Sequence, residues 1–185
     1  MADAEATFFY DLGSPDCYLV AERIRSELQV VCDWEPVRAF ALGLETPVPD
    51  REALAAAVSA QSLLALRLPE RWPPDTALAM RVATYATGAG KSIAFSLAAF
   101  RQAFAGGRDL GDEATVLLAA AACEMHPTAV LKGARLRSVG ERLAAAGERA
   151  RAAGVTALPA LQVAGEMFCG PDALTRAGRA VAAAR

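Results

Sequence analysis

The residues of this chain best placed for chemistry lie in Ser14-Pro15-Asp16-Cys17, directly after the apolar stretch TFFYDLG. Serine is a favoured N-cap, proline suits the first helical position, and an acid in the first turn complements the helix dipole. Those three residues by themselves make a sound helix start. The same place can do more, because a helix N-terminus leaves N–H groups unpaired and carries a positive partial charge that stabilises a thiolate. The spacing is that of a two-cysteine redox motif whose first thiol has become a hydroxyl. Serine neither forms a disulfide nor ionises near neutrality, yet its hydroxyl can donate a hydrogen bond to a thiolate brought by a small molecule. Each unit by which such a thiol's pKa falls corresponds to about 1.4 kcal/mol of preferential thiolate stabilisation. Ser14 is therefore a candidate for activating a borrowed sulfur. Cys17 is a candidate lone thiol, or equally a small buried side chain.

Other reactive side chains are sparse. Cysteines at 17, 32, 123 and 169 are not at metal-ligand spacing and read as free thiols in a reducing compartment. His126 is the single histidine, too little for a histidine-rich metal site, and reads as a surface or loop residue. No metal site is expected. YATGAGKS at 85–92 ends like a phosphate-binding loop, but Tyr85 stands where the first glycine is needed and a helical pattern precedes it. A helix–helix turn explains its glycines.

The elements that must position Ser14 follow from periodicity. Thr7 to Leu12 reads as a strand, Pro15 to Leu28 as an amphipathic helix, and Val30 to Val37 as a second strand, a βαβ unit with parallel pairing. From Asp50 to about Ala153 only helical patterns occur. Asp50 starts one helix, ended by RLPERWPPD; Asp75 caps a second that runs to Thr87. Ser92 to Ala105 and Asp112 to Cys123 follow, then a short helix from Pro127 and a longer one from Arg135 to Ala153. Strand character returns at Ala160 to Val163 and Met167 to Cys169 around a Gly165-Glu166 turn, and Asp172 to Ala184 closes the chain as a helix. A βαβ completed by ββα is the order of an α/β thioredoxin-like fold, here interrupted by an all-helical insertion. Residues 1–42 and 154–185 would form the discontinuous thioredoxin-like domain and 43–153 the insertion.

In such a fold a loop with a cis proline faces the head of the first helix. Leu158–Pro159, just before the returning strand, is expected to be cis and to offer backbone groups to a peptide-like thiol.

Bulk properties exclude several classes of partner. At 185 residues, 54% hydrophobic and 22% charged, the chain can bury a real core. A formal charge of -2 gives no footprint for nucleic acid or an anionic membrane. The apolar runs are too short to span a bilayer. MADAEAT carries acids where a secretory leader has a basic region, so a cytoplasmic location is expected.

Three separated segments, FFYDLGSPDCYL, AFSLAAFRQAFAGGRDLGD and GVTALPALQVAGEMFCGPDAL, together resemble the DsbA-like thioredoxin superfamily. They are most similar to its branch of kappa-class glutathione transferases and 2-hydroxychromene-2-carboxylate isomerases. The resemblance spans nearly the whole chain. It implies glutathione or another low-molecular-weight thiol as cosubstrate, an electrophilic small-molecule substrate, and a homodimer. It also implies that Ser14 hydrogen-bonds the cosubstrate sulfur, that Leu158 and Pro159 form the cis-proline loop, and that Gly170 and Asp172 help hold the γ-glutamyl amine. Three positions depart from the pattern. Asp16 replaces an aromatic residue and sets a carboxylate near the thiolate, Cys17 replaces a serine, and the first insert helix lacks the expected lysine and asparagine. Arg67, Arg71 and Trp72 are candidates to line the cleft instead. The alternatives are a disulfide oxidoreductase acting through Cys17 and a catalytically silent binding protein of the same fold.

Overall fold

The computed structural model describes residues 6–46, 48–60 and 66–183. The acids of the extreme N-terminus, the end of the first insert helix and the last residue of the terminal helix lie outside the described residues. The chain forms strand β1 (Ala6–Tyr10), helix α1 (Pro15–Glu27) and strand β2 (Cys32–Pro36), then a single 3-10 turn at Phe40–Leu42. The helical segment comprises α2 (Arg51–Ala60), α3 (Ala77–Gly88), α4 (Ser92–Phe100), α5 (Glu113–Ala121), α6 (Pro127–Arg135) and α7 (Arg137–Ala152). Strands β3 (Ala160–Val163) and β4 (Glu166–Cys169) and helix α8 (Ala173–Ala183) complete the order expected.

The sheet runs β2-β1-β3-β4, with β1 parallel to β2 and antiparallel to β3, and β3 antiparallel to β4. This is the thioredoxin arrangement. Strand β1 lies inside the sheet and is covered on both faces, which is why its sequence is an unbroken apolar run rather than an alternation. Phe8 and Tyr10 point to the face of α1 and the insertion, while Phe9 points to the other face, among Val37, Ala146, Ala150 and Val155. On the first face Phe8 stacks on Tyr10 at 5.3 Å between ring centres and meets Trp34 edge-on at 5.1 Å. Tyr10 contacts Phe100 at 5.8 Å, and Tyr18 of α1 lies 5.7 Å from Phe104. Each such pair adds about 0.5–1.5 kcal/mol beyond the area it buries. The insertion is thus fused to the sheet by one aromatic core. A buried hydrogen bond of 2.6 Å between the Tyr10 hydroxyl and Ser96 Oγ joins them as well.

The segment expected as one helix from Ser92 to Ala105 divides. After α4 the turn Arg101–Ala105 widens to five-residue spacing, with the Gly106 N–H donating to the Arg101 carbonyl at 2.9 Å. The widened turn carries Phe104 into the core and lets Arg101 grip Glu22 of α1 through two hydrogen bonds of 2.6 and 2.8 Å. The hairpin turn is centred one residue earlier than expected, because Ala164 and Gly165 both have positive φ and Glu166 already belongs to β4. The phosphate-loop look-alike is the connection of α3 to α4. Its Lys91 donates to the Cys123 carbonyl at 2.7 Å and so caps the end of α5. Among the described residues no helix is long and apolar enough to cross a membrane.

Candidate active site

Ser14 is the N-cap of α1, with extended backbone angles, and its Oγ accepts the Cys17 N–H at 3.2 Å. Its own proton can be donated to a sulfur, and the Cys17 thiol is within its reach, since the Ser14 side chain holds the Cys17 pKa down in part. The residue is half-buried. What fixes it there is Asp11, at the exit of β1. The Asp11 carbonyl accepts the Ser14 N–H at 3.1 Å. The Asp11 carboxylate is buried and holds three donors: Gly13 N–H at 2.9 Å, Ala39 N–H at 2.8 Å and the Thr76 hydroxyl at 3.1 Å. One side chain therefore ties together the loop before α1, the segment after β2 and the start of α3. Burial pushes its pKa up, and these hydrogen bonds and the nearby Arg38 hold it down in part. Between Asp11 and Ser14, Gly13 is closely packed, since a Cβ would lie 3.1 Å from the Thr76 methyl group and that neighbour would have to give by a few tenths of an ångström.

Cys17 is fully buried, and burial pushes its thiol up to about 12. A thiol in that state is protonated at neutral pH and out of reach of a disulfide, so the geometry weighs against Cys17 as an attacking group. Asp16 is half-buried, and burial raises its pKa. No disulfide links the four cysteines.

Leu158–Pro159 is cis, as the sequence leads one to expect; Trp72–Pro73 is cis too, which the sequence reading did not foresee. Because Phe9 pairs with Ala160 across β1 and β3, Pro159 stands at the sheet end from which β1 runs into the Asp11–Ser14 loop. The Gly170 N–H donates to the Pro159 carbonyl at 2.8 Å, joining the cis-proline loop to the turn before α8. Gly170 holds φ at +92°, a conformation that requires glycine although a Cβ there would meet nothing. Asp172 is exposed at the head of α8. Ser14, Leu158, Pro159, Gly170 and Asp172 thus all sit at one end of the sheet, in the order β1, β3, β4.

A cleft of about 540 Å³ lies between the loop before α1, the segment after β2 and the start of α3. Asp11, Gly13, Arg38, Phe40, Pro73 and Pro74 are among the residues that line it. Arg67, Arg71 and Trp72, expected to line the cleft, are not among the residues that line this one. Trp72 packs against the core and donates to the Thr46 carbonyl at 3.4 Å, and the Arg67 N–H bonds the Phe104 carbonyl at 2.8 Å. The cleft's cation is Arg38. Periodicity gave no hint of it, because the 3-10 turn that carries the chain round the cleft is too short to leave a pattern.

The family model for the DSBA-like thioredoxin domain matches residues 6–182. No curated protein matches the chain by sequence. Among solved structures, a 2-hydroxychromene-2-carboxylate isomerase superposes with a TM-score of 0.83 at 18% identity, covering 97% of this chain and 95% of its own. A probable DsbA oxidoreductase from Streptomyces coelicolor gives 0.80 at 18% identity, with 98% and 89% covered. A thiol-disulfide exchange protein from Wolbachia pipientis gives 0.62 at 14% identity, with 98% and 82% covered. Identities this low speak for the fold alone.

Proposed function

Since this chain belongs to the family of DSBA-like thioredoxin domains, we propose that it is a cytoplasmic isomerase or transferase that works with a borrowed low-molecular-weight thiol of the glutathione type. One observation carries this reading. The head of α1 presents a half-buried serine whose hydroxyl has a proton to donate, while the motif's own sulfur, Cys17, is buried and protonated. Ser14 steadies the incoming thiolate with help from the positive end of α1. The cis-proline loop at Leu158–Pro159 and the turn from Gly170 to Asp172 hold the rest of the thiol. In an isomerisation the sulfur forms a C–S bond to a conjugated carbon, and the displaced π pair moves onto the conjugated carbonyl oxygen. The bond that has become single rotates. The pair then returns, the C–S bond breaks, and the thiolate leaves unchanged, with no net oxidation. In a transfer the C–S bond is kept and the carbanion or enolate takes a proton.

The similarity of fold to a 2-hydroxychromene-2-carboxylate isomerase agrees with this reading. The oxidoreductase alternative needs an attacking thiol at the helix head, and that position is Ser14. Thermal unfolding with millimolar glutathione tests the proposal. The expected result is a rise in Tm that shrinks in Ser14→Ala by more than the cap loss of about 1 kcal/mol explains. Equal shifts in both proteins, or none in either, would contradict it.

A further inference from the structure

We propose that the cleft beside Gly13 is a subsite for an α-amino-acid group, with Arg38 receiving the carboxylate and Glu45 or Asp75 the ammonium. The lining carries charge of both signs. Arg38 is half-buried and, among the described residues, makes no hydrogen bond or ion pair through its guanidinium, whose planar fork suits a carboxylate. Glu45 and Asp75 are exposed carboxylates; one oxygen of Asp75 accepts the Ala77 N–H at 2.9 Å, and the other is left over. The third carboxylate, Asp11, is already saturated by its three donors. A purely anionic ligand would meet Glu45 and Asp75, and a purely cationic one would meet Arg38. A zwitterion pairs with Arg38 through its carboxylate and with one of Glu45 and Asp75 through its ammonium, whereas a one-signed competitor is set against a like charge. Phe40, 85% exposed, gives the remainder of such a ligand an apolar wall together with Pro73 and Pro74. The volume of about 540 Å³ lies within the range of small-molecule sites, about 300–1,000 Å³.

The position relative to Ser14 gives the subsite its use, and here the inference rests on the thiol reading above. Strand β2 adjoins β1 on the side away from β3 and β4. A ligand with its sulfur at Ser14 therefore has the cleft on one side and Asp172 on the other. Two sources supply the amino-acid group: an amino-acid-derived electrophile that meets the thiol at Ser14, or the γ-glutamyl end of the thiol, which then lies here and not at Asp172.

Calorimetric titration of the whole chain with L-phenylalanine, N-acetyl-L-phenylalanine and glutathione tests this. Wild type should bind L-phenylalanine or glutathione, and Arg38→Gln should weaken that binding by about tenfold or more, with Arg38→Lys recovering part of it. Removing the ammonium by acetylation should weaken phenylalanine similarly. If phenylalanine competes with glutathione, the group belongs to the thiol; if both bind together, it belongs to the second substrate. Unchanged affinities in Arg38→Gln, with its unliganded Tm preserved, would overturn the subsite. Glutathione binding that needs Ser14 but not Arg38, with no Arg38-dependent binding of phenylalanine, removes the subsite alone. Phenylalanine binding that needs Arg38, with no glutathione binding at all, removes the thiol reading alone.

Discussion

Ser14→Cys is expected to turn this chain into a dithiol reductase. The side chain at position 14 already faces the Cys17 N–H at 3.2 Å, so the introduced sulfur stands at the head of α1, three residues from Cys17. Thiols in that place have pKa values lowered to about 3.5–7.5 by the helix terminus. Cys17, pushed up to about 12 by burial, is ionised at pH 7 in only about one molecule in 10⁵. A thiol of pKa about 7 would be half ionised, a gain of four to five orders of magnitude in attacking thiolate. Half-buried Asp16 trims that gain without cancelling it. Insulin reduction should stay at background in wild type and rise clearly in Ser14→Cys, and the rise should vanish in Ser14→Cys combined with Cys17→Ala. Measurable reduction by the wild-type chain would revive Cys17 as an attacking group.

The second large effect is alkaline lability. The folded-state pKa of Cys17, about 12, lies above the unfolded value near 9. The native thiol therefore keeps its proton where the unfolded chain releases it. Its contribution to stability is fully present below pH 9 and is lost as pH rises toward 12. A shift of that size corresponds to about 4 kcal/mol. Tyr10, fully buried and pushed from 10.0 to about 12 by desolvation, acts in the same direction, and so does Cys32. The comparison that isolates Cys17 is the difference between variants: urea unfolding followed from pH 8 to 11 should show wild type losing stability faster than Cys17→Ala, by the release of about one proton on unfolding. Parallel curves would mean that Cys17 is not the buried group described here.

Much of this molecule is legible in its sequence, for identifiable reasons. Strand β1 could be found because an aromatic run ends at Asp11, and α1 because Ser14, Pro15 and Asp16 are three local capping signals in a row. The cis Leu158–Pro159 bond could be expected from its place before a returning strand. What stayed hidden depends on contacts between distant segments. The widened turn at Arg101–Ala105 is set by Glu22 and by the rings that Phe104 meets, and no local pattern records either. The break between α6 and α7 is expected at Arg135, and the extended Leu136 places it two residues later, so that α7 starts at Arg137. The clamp made by Asp11 joins residues 28 and 65 positions away, so the sequence shows a strand-ending aspartate and not its three donors. Arg38 reads as a surface charge until the cleft is seen around it.

The proposed function rests on the Ser14 hydroxyl lowering the pKa of a guest sulfur. Ultraviolet absorbance of the thiolate, titrated with pH for glutathione held at saturation by the wild-type protein and by Ser14→Ala, measures that directly. The account predicts that the bound thiol ionises at least about one unit below the free thiol on the wild type and moves back toward it on Ser14→Ala. A bound thiol that titrates like the free one, or identically on both proteins, would contradict it.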